Sequence, residues 1–195
     1  MNAFSLARQH IDAAHSADPR ITADGRPAEL VYADRMEHWI ELLTPNAPDL
    51  LRLAARCQHL QRWQVPRSSH PAGRSGYLAW RTSLYKIQAA HAARLMREAG
   101  IPEPDIEQAT TWISKSGLKT NPGTQALEDA ACLVFLENEI AEFARQHADY
   151  PREKFIHILQ KSWKKMSAPA QQHAMQLPLP PAIATLVREA LDGIN

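Results

Sequence analysis

Cysteine is scarce in this chain: its 195 residues hold two, Cys57 and Cys132. They lie far apart inside apolar helical patterns, and no CxxC pair is present. That argues against a disulfide framework and against a thiolate zinc site. Both read as small buried hydrophobes in a reducing compartment. Long apolar runs are also missing. Nothing approaches the roughly 18 apolar residues that span a bilayer. Met1 to His10 lacks the basic start and apolar run of a secretory signal. The expected location is therefore the cytoplasm, with no membrane partner. Strand-like alternation of apolar and polar residues is absent as well, which leaves an all-α fold. The most informative absence is of acid. Between Leu51 and Ala90 there are six arginines, one lysine and no Asp or Glu. From His91 to Tyr150 the balance reverses, to five basic residues against ten acidic. A formal net charge of +1 hides this segregation, and a local field of one sign draws in an anion.

What is present is helical periodicity over most of one domain-sized chain, residues 1–195. About eight helices are expected, with residues from about 177 onward forming a helical appendage beyond the Pro-rich Leu177 to Pro181 connector. The first covers Phe4 to Ser16 and the second Ala28 to Leu43. The third runs from Pro48 to Trp63, with Leu50, Ala54, Cys57 and Gln61 on one stripe. A loop from Gln64 to Ser75 carries Pro66, Pro71 and Gly73; structureless loops of this length inside compact domains are usually functional or disordered. The fourth helix spans Gly76 to Ala99, with Tyr77, Trp80, Leu84, Ile87, His91 and Leu95 at core spacing and Gly100 as its cap. The fifth runs from Pro104 to Ser116. A sixth, Thr124 to His147, contains the most apolar run, Ala130 to Leu136. Arg152 to Met166 and Pro181 to Asp192 complete the set.

The third helix carries the chemistry. Arg52, Arg56 and His59 follow i, i+4, i+7 spacing and share a face, with Arg62 near it. Like charges at i, i+4 disfavour an isolated helix by a few tenths of a kcal/mol, so the pattern calls for nearby carboxylates or an anionic ligand. Pairing with the acid-rich sixth helix is the plain structural reading for Arg52 and Arg56. It leaves Arg67, Arg74 and Arg81 unexplained. Guanidinium forks bind phosphate oxygens bidentately, and Trp63, Tyr77 and Trp80 sit among them at positions suited to stacking. Core packing of the aromatics under a solvated arginine face accounts for the same residues without a ligand. His91 on the fourth helix and Asp129 on the sixth fall on apolar stripes, and a buried carboxylate needs a partner. His59, His91 and Asp129 thus form a candidate three-helix metal or acid–base group.

The strings Leu30-Val31-Tyr32-Ala33-Asp34-Arg35-Met36, Ala54 to Trp63, Pro66-Arg67, Gly76 to Arg81 and Leu127 to Leu136 resemble the family described as domain of unknown function 4202. That resemblance covers most of the chain and implies an all-α fold. The order of elements is also similar, more distantly, to the HD-domain phosphohydrolases, helical metal enzymes that hydrolyse nucleotides. Gln58-His59 occupies the place of their His-Asp pair, and His91 and Asp129 match the later positions. Tyr32 or Glu29 stands where the family has an upstream histidine.

Taken together, these patterns give an HD-like hydrolase acting on a phosphate-bearing substrate, in class a nucleotide, as the first expectation. His59, Asp129 and Gln58 are its candidate catalytic residues. Arg56, Arg62, Arg67, Arg74, Tyr77, Trp80, Arg81, Lys115 and Lys119 are expected to bind substrate. His59, His91 and Asp129 are candidate ligands of a divalent metal. A non-catalytic RNA- or nucleotide-binding module using the same arginines is the second expectation, and a helical interaction protein the third.

Overall fold

A computed structural model describes residues 2–192. The helices in chain order are α1 (Ala3–Ser16), α2 (Ala28–Leu43), α3 (Asp49–Arg56), α4 (Gly73–Glu98), α5 (Glu103–Ile113), α6 (Pro122–Val134), α7 (Ile140–Gln146), α8 (Arg152–Lys165), α9 (Ala168–Gln176) and α10 (Pro181–Asp192). The described residues contain no strand, only an isolated bridge between Ile21 and Pro27. The fold is all-α, as the periodicity implies.

Local signals set most boundaries. Asn2 caps α1 by accepting the Ser5 N–H at 2.8 Å. Gly100, at φ +84, ends α4 in a Schellman turn. The Ile101 N–H reaches Met96 O and the Gly100 N–H reaches Arg97 O. The expected sixth helix is interrupted: α6 passes through a π-turn at Phe135–Glu139 into α7. A further helix, α9, occupies a stretch where the sequence suggests none. Its start is set by Ser167, whose side chain accepts the Ala170 N–H.

The chain forms two compact units, one up to Leu127 and one from Glu128 onward, with the division inside α6. In the first, α2 packs on α3, α4 on α5, and α1 touches α2, α3 and α4. Ile11, Met36, Ile40, Leu60, Met96, Ile106, Ile113 and Leu127 are fully buried there. In the second, α8 packs on α10 and buries Phe155, Leu159 and Ile183.

The largest fully buried side chain is Arg56, 1% exposed. Its guanidinium donates to Asp12 of α1 and to Asp34 and Glu37 of α2, the last two at 2.8 Å. Arg52 pairs with Glu37 and Glu41. Neither arginine depends on the sixth helix for these bonds, and Arg56 is not a substrate-binding residue. Its donors are spent on carboxylates three helices bring together, which is the condition under which a guanidinium tolerates burial.

Burial alone would raise the carboxyls of Asp34 and Glu37. The guanidiniums of Arg26 and Arg56 on one, and of Arg8 and Arg56 on the other, outweigh it and hold both below the ordinary carboxylate range. Depressed folded-state values contribute stability above the unfolded values, near pH 4, and lose it as pH falls through the folded ones. Arg56→Met, which takes the shared guanidinium from three carboxylates, is expected to lower unfolding stability by about 3 kcal/mol in urea titrations at pH 7. Below about pH 4.5 the wild-type chain should lose stability more steeply than the variant, because the variant has already lost the interaction that protonation removes. Equal acid slopes in the two proteins would contradict this.

Candidate functional site

The site begins where α3 stops. Its expected course to Trp63 is cut at Arg56, where the His15 Nε2–H of α1 bonds to the Arg56 carbonyl at 2.7 Å. An α-helix would give that oxygen to the Leu60 N–H, which instead bonds to Cys57 O. The chain then tightens into turns, with His59 at φ +62 and Gln61 at φ +53, before a 3₁₀ turn at Arg62–Gln64. Glu29 of α2 accepts the Trp63 N–H at 2.9 Å and fixes the exit.

This unwinding turns His59 away from the face of Arg52 and Arg56. Its ring stacks on Tyr32 with centroids 3.9 Å apart. An Arg62 N–H lies 2.8 Å from His59 Nε2. The same nitrogen is 3.4 Å from Nδ1, so the guanidinium lies over the ring face opposite Tyr32 and leaves the edge of the neutral ring with one N–H donor and one acceptor. The His59 imidazole is held well below its ordinary pKa, first by burial and then by Arg62, Lys115, Arg81 and Arg20. It is therefore a neutral donor at pH 7, standing in a positive field.

The opposite wall comes from α4. Arg81 donates to the hydroxyls of Tyr77 and Tyr85 at i±4, and its guanidinium lies 5.4 Å from the Tyr85 ring centroid. The described residues show no carboxylate against it. Lys115 lies 5.7 Å from the same Tyr85 ring. Trp80 is buried, its indole N–H on Val65 O at 2.9 Å, and Arg62 covers its ring at 4.9 Å. Trp80 is thus a packing residue and not a stacking platform. Tyr77 is 42% exposed, so it is not core as its spacing suggests. Lys115 and Lys119 have φ of +59 and +74. Four of the five non-glycine residues at positive φ are thus His59, Gln61, Lys115 and Lys119. Backbone of this kind costs about 1–3 kcal/mol per residue and gathers at ligand sites.

The loop before α4 is ordered by its own side chains. Arg67 donates to the carbonyls of His70, Pro71 and Gly73, so its charge staples the loop. Gly76 lies against the Pro71 carbonyl, where a Cβ would stand 1.9 Å from the oxygen. Arg74 is exposed.

A family model described as domain of unknown function (DUF4202) matches residues 5–187. The chain belongs to the DUF4202 family. Searches of curated proteins and of solved structures each returned no match. All of the motif strings of this DUF4202 chain except Leu127 to Leu136 lie in the first unit. Tyr32, His59 and Arg62 form one side of the group, and Trp80 and Arg81 the other.

The metal group expected from the HD resemblance does not fit the residues of this DUF4202 protein. Among the described residues no three His, Cys, Asp or Glu are grouped to hold an ion. The Arg62 guanidinium lies against both ring nitrogens of His59, and further cations surround the ring. His91 sits partly exposed on α4, its pKa lowered by burial and by Arg94. In the second unit both Asp129 oxygens accept from Ser167, its N–H at 2.8 Å and its hydroxyl at 2.6 Å. Gln58 is 3% exposed, and its buried amide nitrogen has no hydrogen-bond partner.

Sequence reasoning missed Tyr85 and Arg20. Tyr85 follows Arg81 by four residues on α4, a signal that was available. Arg20 reaches Asp18 and Glu29 from a turn whose position no periodicity reports. In a ring-proton NMR titration the His59 resonance is expected to show no inflection between pH 5.5 and 8, whereas an ordinary histidine titrates near 6.5. Arg81→Gln should move the His59 midpoint upward, because one of the cations depressing it is gone.

Proposed function

We propose that the DUF4202 chain binds a phosphate-bearing ligand, in class a nucleotide, in the basin formed by His59, Arg62, Arg81, Tyr85 and Lys115. The observation that carries this reading is Arg81. It is a partly buried guanidinium whose hydrogen bonds go to neutral phenol oxygens, in the field that keeps His59 neutral. A buried cation without a carboxylate is costly, and an anion seated there offsets that cost. Several features favour phosphate over other anions. A tetrahedral group with several oxygens accepts donors from different directions, and the basin presents guanidinium, ammonium, imidazole and phenol donors on two sides. The ring N–H of neutral His59 is a donor to such an oxygen. Aromatic side chains at the margin suit an attached base.

The expected hydrolase chemistry has less support than binding. The cations around His59 oppose its taking up a proton, so its role in this reading is to donate and orient. The carboxylates that neutralise Arg52 and Arg56 come from α1, α2 and α3, which leaves Arg81 as the cation a ligand would complete.

Calorimetry with a panel of nucleoside mono-, di- and triphosphates tests the reading. Affinity is expected to weaken about 10- to 100-fold in Arg81→Gln and in Lys115→Gln, the range for loss of a hydrogen bond to a charged group. It should also fall with added salt. Folding of each variant is checked by circular dichroism. Unchanged affinity in both folded variants, or no binding by the wild-type chain, would refute the proposal. Phosphate release from the same panel, with and without Mn²⁺, separates a hydrolase from a binding module.

A further inference from the structure

The basin is continuous with a stripe on the outer face of α4. Positions 74, 78, 81 and 85 follow i, i+4, i+7, i+11 spacing, and 77 flanks them, so all five share one face. They hold Arg74, Leu78, Arg81, Tyr85 and Tyr77. At about 1.5 Å per residue the stripe runs about 16 Å from the exposed end of the helix to the basin.

Resting on the phosphate-binding reading above, we propose that the ligand is single-stranded nucleic acid, which lies along this stripe and leads into the basin. Three observations beyond the basin point that way. Tyr77 and Leu78 are 42% and 52% exposed, and they are two of the five large apolar side chains exposed among the described residues. They sit side by side between Arg74 and Arg81. An exposed aromatic ring flanked by guanidiniums is the platform on which successive bases stack. No acid occurs between Leu51 and Ala90, so a polyanion following the first half of α4 meets no repelling carboxylate from this segment. Arg67 fixes its charge beside the start of α4 through three carbonyls of its own loop. That end of the stripe is therefore rigid and positive.

A lone mononucleotide held by His59, Arg62, Arg81, Tyr85 and Lys115 leaves Arg74, Tyr77 and Leu78 unused. Stacked strands advance about 3.4 Å per nucleotide and extended strands more. The stripe therefore accommodates roughly two to five nucleotides. Recognition through ring stacking and backbone charge tolerates many sequences, and it requires unpaired bases.

Fluorescence anisotropy on the full chain tests this with labelled ribonucleotides one, three and six residues long, at two salt concentrations. The trimer is expected to bind at least about tenfold more tightly than the mononucleotide, with little further gain at six. Arg74→Ala should remove most of that length-dependent gain and leave mononucleotide affinity unchanged. Tyr77→Phe should keep the gain, and Tyr77→Ser should lose it. Mononucleotide affinity equal to that of the trimer would overturn the track and leave the basin reading intact. Equal affinity for a duplex of the same length, or equal competition by poly-glutamate, would also overturn it. Absence of binding by every phosphate-bearing probe would overturn both.

Discussion

One guanidinium and its own carbonyl organise the first unit. The Arg56 side chain gathers Asp12, Asp34 and Glu37 from α1 and α2, while its backbone oxygen takes the His15 N–H. The two contacts act on different links of the chain of causes. The first neutralises charge that burial would otherwise make prohibitive, and so ties α3 to both earlier helices. The second ties the end of α3 to α1. His59 and Arg62 leave the helix there, and α4 brings Arg81 and Tyr85 to them.

The division of labour among the arginines is electrostatic. Arg52 and Arg56 lie within reach of carboxylates on α1, α2 and α3 and serve stability. Arg67 binds backbone oxygens and serves loop order. Arg81 finds only phenol oxygens. A stretch of sequence without acid can be neutralised only by residues from elsewhere, and the fold delivers those to its beginning and not to Arg81. Left-handed backbone at His59 and Lys115 falls on two members of the same group. Charge and left-handed backbone therefore coincide at those residues.

Much of the helical layout was legible because periodicity and caps are local. The α2 boundaries, the Gly100 cap and the start of α10 are set by residues within one or two turns. The length of α3 was not legible. Its apolar stripe continues through Cys57 and Gln61, and nothing within a turn of Arg56 announces that a histidine 41 residues earlier will claim its carbonyl. Trp80 and Tyr77 show the same limit in packing. Both lie at positions three residues apart that look equally internal, yet one is buried under Arg62 and the other stands in solvent.

By itself the sequence determined an all-helical chain, a family membership carried by several strings, and a basic segment with no acid to balance it. Which arginines are consumed inside the protein was decided only by tertiary structure. Neutralisation depends on distances of a few ångströms between residues far apart in the chain, and composition carries no information about those distances. The same holds for His59. Its residue type made it a candidate acid, base or ligand. Burial and the surrounding cations made it a neutral ring.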